Sequence, residues 1–413
     1  NLGPNADVLP GPEVSSKSVK VVVAGLLEHN SGLGHHARSS LEAMTRVPDL
    51  HVCTAPFFPA LGGWNSKLSG SKEAKYGLQG HTALLHIPID SVAASLAAQP
   101  GLLAADRLIG YLYWEIEVLP IHLLRPLDVL DEIWVASEYV AQALRGRTKT
   151  PVFVTGNAVD VTASAGFSRQ DIGIGEDSFV VHFAFDANST VARKNPSAAI
   201  DAFSLATGGE ESSIFLLKIR NFAQVHNQAR MGDRHSLGLL RRLEDDPRIR
   251  LITEELSYGH CLDLMRLSDC HLSLHRAEGF GYGMAEALAL GIPVVATAYS
   301  GNLEFLSHLN SELVPYSLRA VEPGEYFYWS PEMHWAEPDV HAAAAAIRRV
   351  QMGDSVACHK TARGTEQISR ELSFDGLAEN YSRILFRDFG MSSPRSEEGT
   401  PGRDTHESQG LQG

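Results

Sequence analysis

Glu278 and Glu286 flank a glycine turn in the stretch HRAEGFGYGMAEALALGIPVVATAYSGNLE, residues 275–304. Carboxylates placed this way accept hydrogen bonds from a ribose diol or a sugar hydroxyl. Free amides from Gly279 to Gly283, at a helix start, suit phosphate oxygens. A second chemical group is Arg193 with Lys194, set just before Pro196 at the first turn of a predicted helix. Cations beside a helix start can pair with an anionic group held there. Each pair alone has a bland reading, as helix-capping glutamates or as surface charges, and the surrounding elements must decide.

The run CHLSL reads as a strand and HRAEGFG as a sharply bent loop. YGMAEALAL reads as a helix stopped at Gly291, and PVVAT as the next strand. Glu278 then stands at the carboxyl end of a strand, in the crevice where open α/β sheets bind ligands, and Glu286 one to two turns into the helix.

The same alternation of short β-branched runs and helical patterns fills most of the 413 residues, a length that predicts about two domains. VKVVVAGLL opens the first series and FVVHFAF the second. The expected fold is α/β, two Rossmann-like doubly wound domains facing each other across a cleft. Expected boundaries are a disordered arm over 1–17, a first domain over 18–160 and a hinge over 161–176. A second domain over 177–370, a C-terminal helix over 371–390 packing back on the first domain, and a disordered tail over 391–413 complete the chain.

Near the N-terminus, Gly32 and Gly34 satisfy G-x-G-x-x-A, the outline of a dinucleotide site. The spacing argues against that cofactor: LEHNS separates the glycines from the strand, and HVCTAPFF ends without an acidic residue for a ribose. A glycine loop entering a helix still offers amides to a phosphate or substrate oxygen, and a plain tight connection is the alternative.

The string E-G-F-G-x-x-x-x-E-A-x-x-x-G-x-P-V-V-A-T resembles the E-x7-E region of retaining glycosyltransferases with the GT-B fold, of the family 4 type (glycosyl transferases group 1). ARKNP is similar to that family's basic segment. GLGHHAR, IGYLYWEIEVLP and DEIWVASEYVAQAL are similar to segments of a bacterial polysaccharide-assembly subgroup. The resemblance implies donor-sugar contacts for Glu278, a sugar pocket shaped by Phe280 and Gly281, donor or nucleotide contacts for Gly279, Tyr282 and Gly283, and a ribose contact for Glu286. It implies that Ser300, Gly301, Asn302 and Glu304 border the same pocket, that Arg193 and Lys194 grip the diphosphate, and that Gly32 and Gly34 face it. Many members carry a further arginine after the second domain's first strand, where this chain has FAFDAN. Lys218, His275 and Arg276 are the candidate substitutes. Where many members have a catalytic histidine, Trp114 and Glu115 stand here. Glu115 is either an orienting group or a buried structural carboxylate, and His86 reads as a core or rim histidine.

The implied function is transfer of a sugar, with retention, from a nucleotide-diphosphate sugar to a glycan or lipid-linked hydroxyl in bacterial surface or exopolysaccharide synthesis. A nucleotide-sugar epimerase, a phosphorylase or a non-catalytic binder of the same fold is the alternative. No cofactor and no metal are expected, since no D-x-D is present and Arg, Lys and helix N-termini can carry the charge. Net charge is 35 − 49 = −14, which disfavours nucleic acid as a partner. No apolar run reaches the roughly 18 residues of a membrane span, and Cys53, Cys261, Cys270 and Cys358 form no metal or disulfide pattern. A cytoplasmic location is expected, with peripheral contact at the inner membrane face left open to a small basic or apolar patch.

Overall fold

The computed structural model describes residues 19–28, 31–56 and 78–387. The expected arm and tail lie outside the described residues. Two six-stranded parallel sheets form the scaffold. The first contains β1 (Val19–Gly25), β2 (Leu50–Pro56), β3 (Thr82–Pro88), β4 (Arg107–Tyr113), β5 (Glu132–Val135) and β6 (Val152–Val154). Their order is β2-β1-β3-β4-β5-β6. The second contains β7 (Phe179–Asp186), β8 (Ser213–Arg220), β9 (Ile249–Ile252), β10 (Cys270–Ser273), β11 (Val294–Thr297) and β12 (Glu312–Val314). Their order is β12-β11-β10-β7-β8-β9. The strand order of each sheet reverses beside its first strand, which leaves a crevice at the carboxyl ends. The expected α/β fold with two doubly wound sheets is therefore present.

The apolar runs form these strands because both faces are covered: β1 buries Val21 to Ala24 and β3 buries all but its last residue. An antiparallel hairpin, β13 (Tyr316–Ala320) with β14 (His334–Pro338), follows β12. The helix Phe374–Leu385 lies on the helix Gly32–Thr45 of the first unit. Its Tyr381 stacks on Trp134 with centroids 5.0 Å apart and hydrogen-bonds Ser40 at 2.6 Å. Tyr381 and Trp134 are fully buried, each contributing on the order of 2–3 kcal/mol of burial. Arg107 adds a bond to the Leu385 carbonyl at 3.1 Å, satisfying a carbonyl at the helix end.

The connector between the sheets is tied to the second unit. Asp263 accepts from the amides of Ala165 (2.7 Å), Gly166 (2.8 Å) and Phe167 (3.2 Å) and from the Ser164 hydroxyl (2.8 Å). Arg266 holds the Ala163 carbonyl at 2.8 Å. Residues 163–167 therefore belong mechanically to the second unit, within the expected hinge 161–176. All four cysteines are free. Among the described residues no helix is long and apolar enough to cross a membrane.

Candidate functional site

A cavity of about 580 Å³ lies between the carboxyl ends of the two sheets. From the first unit it is lined by Gly32, His36, Tyr113, Trp114 and Glu115. From the second it is lined by Arg193, Lys194, Lys218, Glu278, Glu286 and the turn from Gly279 to Gly283.

The turn after β10 is shaped by close approach and backbone conformation. Gly281 has φ +90° and caps the helix Tyr282–Ala289. A side chain there would be strained, and its Cβ would also strike Met284 Cε at 2.3 Å. At Gly279 an added Cβ would stand 2.5 Å from the Trp114 carbonyl oxygen. The Gly279 carbonyl accepts from Ser137 Oγ at 2.6 Å. The glycine turn is thus docked directly on the first unit, and its helix start opens onto the cavity.

Glu278 sits between two cations. Arg193 Nη1 is 3.1 Å from Glu278 Oε2, and Lys194 Nζ contacts Oε1. Burial raises the Glu278 carboxyl, but Lys194 and Arg193 outweigh it and hold it down at about 2. Arg193 is 3% exposed, gives the Ala277 carbonyl a bond of 2.8 Å, and lies 3.6 Å from Glu115. Burial acts to lower its guanidinium, and Glu115 and Glu278 reverse that. Lys194 has a 20% exposed side chain and carries its charge to the open side of the pair.

Glu286 faces a different environment. Its Oε1 accepts from the Tyr258 hydroxyl at 2.7 Å, and burial pushes its carboxyl up to about 7. Lys218 donates to the Glu254 carbonyl at 2.8 Å, and burial lowers its ammonium. Glu115 accepts from the Tyr326 hydroxyl at 2.6 Å. The site therefore offers one carboxylate held ionised, one that titrates near neutrality, two cations beside a helix start, and an apolar floor around Phe280 and Met284. That set accommodates an anionic group next to a polyhydroxylated one.

Several sequence expectations change in detail. Gly32 and Gly34 lie in the first turn of a helix, not in a loop ahead of it, because Ser31 caps it by accepting from the Gly34 amide at 3.2 Å. Gly32 lines the cavity, whereas Gly34 is buried behind it. His275 and Arg276 do not reach the cavity. His275 is buried, its Nε2 facing the Tyr299 carbonyl at 3.2 Å and Asn302 Oδ1 at 3.1 Å, and burial lowers its imidazole toward the neutral form. Arg276 turns to Glu337 at 2.9 Å, packed over Trp335. Neither side chain lines the cavity where the further arginine was sought, because His275 is engaged by Tyr299 and Asn302 and Arg276 by Glu337 and the Ala192 carbonyl.

Ser300, Gly301 and Asn302 brace the turn from behind rather than line the cavity. Ser300 Oγ accepts from the Glu278 amide at 2.8 Å, the Gly301 amide bonds the Glu278 carbonyl at 2.9 Å, and Asn302 donates to the Thr297 carbonyl at 2.9 Å. Glu304 contacts the Glu138 amide of the first unit. His86 is a core histidine, stacked on Tyr111 and bonded to Tyr113 at 2.9 Å. Sequence reasoning missed Tyr258, Tyr326, Tyr328 and Asp90. The only signal for the tyrosines at 326 and 328 was an aromatic run, EYFYW, without helix or strand period. Among the described residues no group of three or more His, Cys, Asp or Glu is placed to hold a metal.

Residues 251–316 match the glycosyl transferases group 1 family. That stretch runs from β9 through the glycine turn to the start of β13 and contains both glutamates of the cavity. No curated protein matches the chain. Among solved structures, HepE of Anabaena in complex with UDP and glucose is 14% identical with a TM-score of 0.62, covering 89% of this chain and 100% of its own. A glycosyltransferase from Rickettsia africae is 13% identical with a TM-score of 0.61, covering 91% and 100%. Sucrose-phosphate synthase from Thermosynechococcus elongatus is 14% identical with a TM-score of 0.59, covering 91% and 100%. The chain has the GT-B fold that these structures share.

Proposed function

We propose that the protein is a retaining glycosyltransferase. It moves a sugar from a nucleotide-diphosphate sugar to a hydroxyl of a glycan or lipid-linked acceptor, in bacterial surface or exopolysaccharide synthesis. The observation that carries this reading is Glu278 clamped between Arg193 and Lys194 at a helix start that shares one cavity with Glu286. The family match over 251–316 and the UDP and glucose bound to HepE support the same reading.

In this reading the diphosphate lies against the amides of the helix Tyr282–Ala289, with Lys194 swinging from Glu278 to a phosphate oxygen. Lys194 is suited to the move, because a flexible ammonium makes a point contact where a guanidinium would be locked by its fork. Arg193 stays fixed and keeps Glu278 ionised, so that Glu278 accepts from donor-sugar hydroxyls. Glu286 takes the ribose diol, its ionised form being favoured once two hydroxyls donate to it. As the glycosidic bond breaks, charge on the leaving phosphate is stabilised by Lys194, Arg193 and the helix start, without a metal. A carboxylate that stays paired with the buried Arg193 is a weak base, which leaves the departing phosphate oxygen to take the proton of the incoming hydroxyl on the same face. Closure about the connector would exclude water from the donor.

Incubation with a panel of UDP-, GDP-, ADP-, CMP- and dTDP-sugars plus oligosaccharide acceptors, read as nucleotide release, tests the proposal. Release should require both the acceptor and one preferred donor, and should fall at least 100-fold in Glu286→Ala. Donor left intact with every acceptor would support a non-catalytic binder. Sugar release or interconversion without an acceptor would support an epimerase or phosphorylase.

A further inference from the structure

The segment between β13 and β14, residues 321–333, reaches across the cavity to the first unit. Its Tyr326 hydroxyl donates to Glu115 at 2.6 Å, and its Tyr328 hydroxyl donates to Asp90 at 2.7 Å. Both tyrosines and Phe327 line the cavity beside Trp114. Trp114 meets the Tyr326 ring edge-on at 5.6 Å and the Tyr328 ring at 6.3 Å. Phe327 is 63% exposed, although it belongs to a segment anchored firmly at its base. That anchor is the buried Glu325, which pairs with Arg319 (2.8 Å), Arg234 (2.8 Å) and His235 (2.7 Å) and accepts from the Glu322 amide (2.9 Å).

A fixed backbone holds the aromatic ring of Phe327 out in water at a cavity wall, where its apolar surface is free to pack on whatever enters. A second observation points the same way. The Trp114 indole N–H is buried, with the residue 4% exposed, and has no hydrogen-bond partner among the described residues. A buried donor of this kind is costly unless a water or a ligand supplies its acceptor.

We infer that Phe327 and Tyr328, on the same cavity wall as Trp114, form the platform for the acceptor, and that the acceptor end is an uncharged sugar ring. The inference rests on the transferase reading of the same cavity. A pyranose ring presents a patch of axial C–H bonds to an aromatic face and a rim of hydroxyls to carboxylates. Asp90 and Glu115 stand at that rim as acceptors. The same carboxylates repel a uronate or a phosphate placed there, and an acyl chain would leave them desolvated without partners. Glu115 also lies 3.6 Å from Arg193, so a ring held on the platform abuts the cation cluster of the donor side.

The test is titration of the full chain with maltose, cellobiose, diacetylchitobiose and a glucuronate-containing disaccharide, followed by tryptophan fluorescence, with and without saturating UDP or GDP. At least one neutral disaccharide should bind more tightly than the uronate. Phe327→Ala should weaken it at least fivefold while nucleotide affinity shifts less than twofold. Phe327 is largely exposed, so the substitution should leave the fold intact. Tyr328→Ala, which also removes the bond to Asp90, should weaken it further. Nucleotide binding with a saccharide response indifferent to both substitutions, or with no saccharide response, overturns the platform and leaves the transferase reading standing. A saccharide response that depends on Phe327 without any nucleotide response overturns the transferase reading and keeps the platform as a sugar site.

Discussion

Arg193 lies 3.1 Å from Glu278 and Lys194 touches the opposite oxygen of the same carboxylate, yet the two cations are held very differently. Arg193 is 3% exposed and also bonds the Ala277 and Ser189 carbonyls, whereas Lys194 makes a single contact at the cavity edge. Their loss should therefore separate stability from binding.

Arg193→Ala should lower unfolding stability by about 3–5 kcal/mol, since it removes a buried guanidinium that also holds the Ser189 and Ala277 carbonyls and Glu115. Lys194→Ala should cost roughly 1 kcal/mol or less. Urea denaturation of the two variants measures the difference. Equal midpoints would mean that the pair is not asymmetric.

Glu286 gives a pH prediction of definite sign. Its carboxyl is raised from 4.5 to about 7 in the folded state. Between those values the folded chain keeps a proton that the unfolded chain has lost, so this group's contribution to stability falls as pH rises through the window and stays low above 7. Glu286→Gln, which keeps the acceptor for Tyr258, should match the parent below pH 4.5. It should exceed the parent by roughly 2–3 kcal/mol at pH 8. Melting curves from pH 4 to 8 test this, and a difference that does not change with pH would contradict it.

Gly279→Ala should act on geometry and on stability together. The added carbon would meet the Trp114 carbonyl at 2.5 Å and push the two units apart at the cavity. A displacement of about 1 Å between reacting groups costs on the order of 100-fold in rate. Turnover should fall by that order, and the clash should cost about 1–3 kcal/mol of stability in a melting experiment; unchanged turnover would contradict the close docking.

Asp263→Ala removes the acceptor for three connector amides and one hydroxyl. The expected loss is about 2–4 kcal/mol, with faster proteolysis confined to residues near 163–167. Unchanged protease resistance would show that the connector is held by other contacts.

Much of this architecture is legible in the sequence, and the reason is local. VKVVVAG and FVVHFAF must be buried on both faces, and CHLSL followed by EGFG and a helix stopped at Gly291 fixes strand, turn and helix within thirty residues. Glu278, Glu286, Arg193 and Lys194 fall together because they lie on the loops and helices that follow the carboxyl ends of β7 and β10, which pair side by side in one sheet. What sequence misses depends on direction and distance. His275 and Arg276 adjoin Glu278 in the chain, yet their side chains are taken up by Tyr299 and Asn302 and by Glu337, long-range partners that the sequence does not show. The Tyr326–Glu115 and Tyr328–Asp90 contacts join residues 211 and 238 positions apart, from a segment with no periodic pattern. Gly32 and Gly34 read as a loop because glycine is a poor helix former, and the Ser31 cap overrides that preference.

The most direct measurement is equilibrium titration of UDP, GDP, ADP and dTDP against the parent chain and Lys194→Ala at two salt concentrations. The account predicts that one diphosphate binds the parent at least tenfold more tightly than the variant, with an affinity that weakens as salt rises. Equal affinity of the two proteins for every diphosphate, or none bound at millimolar concentration, would contradict it.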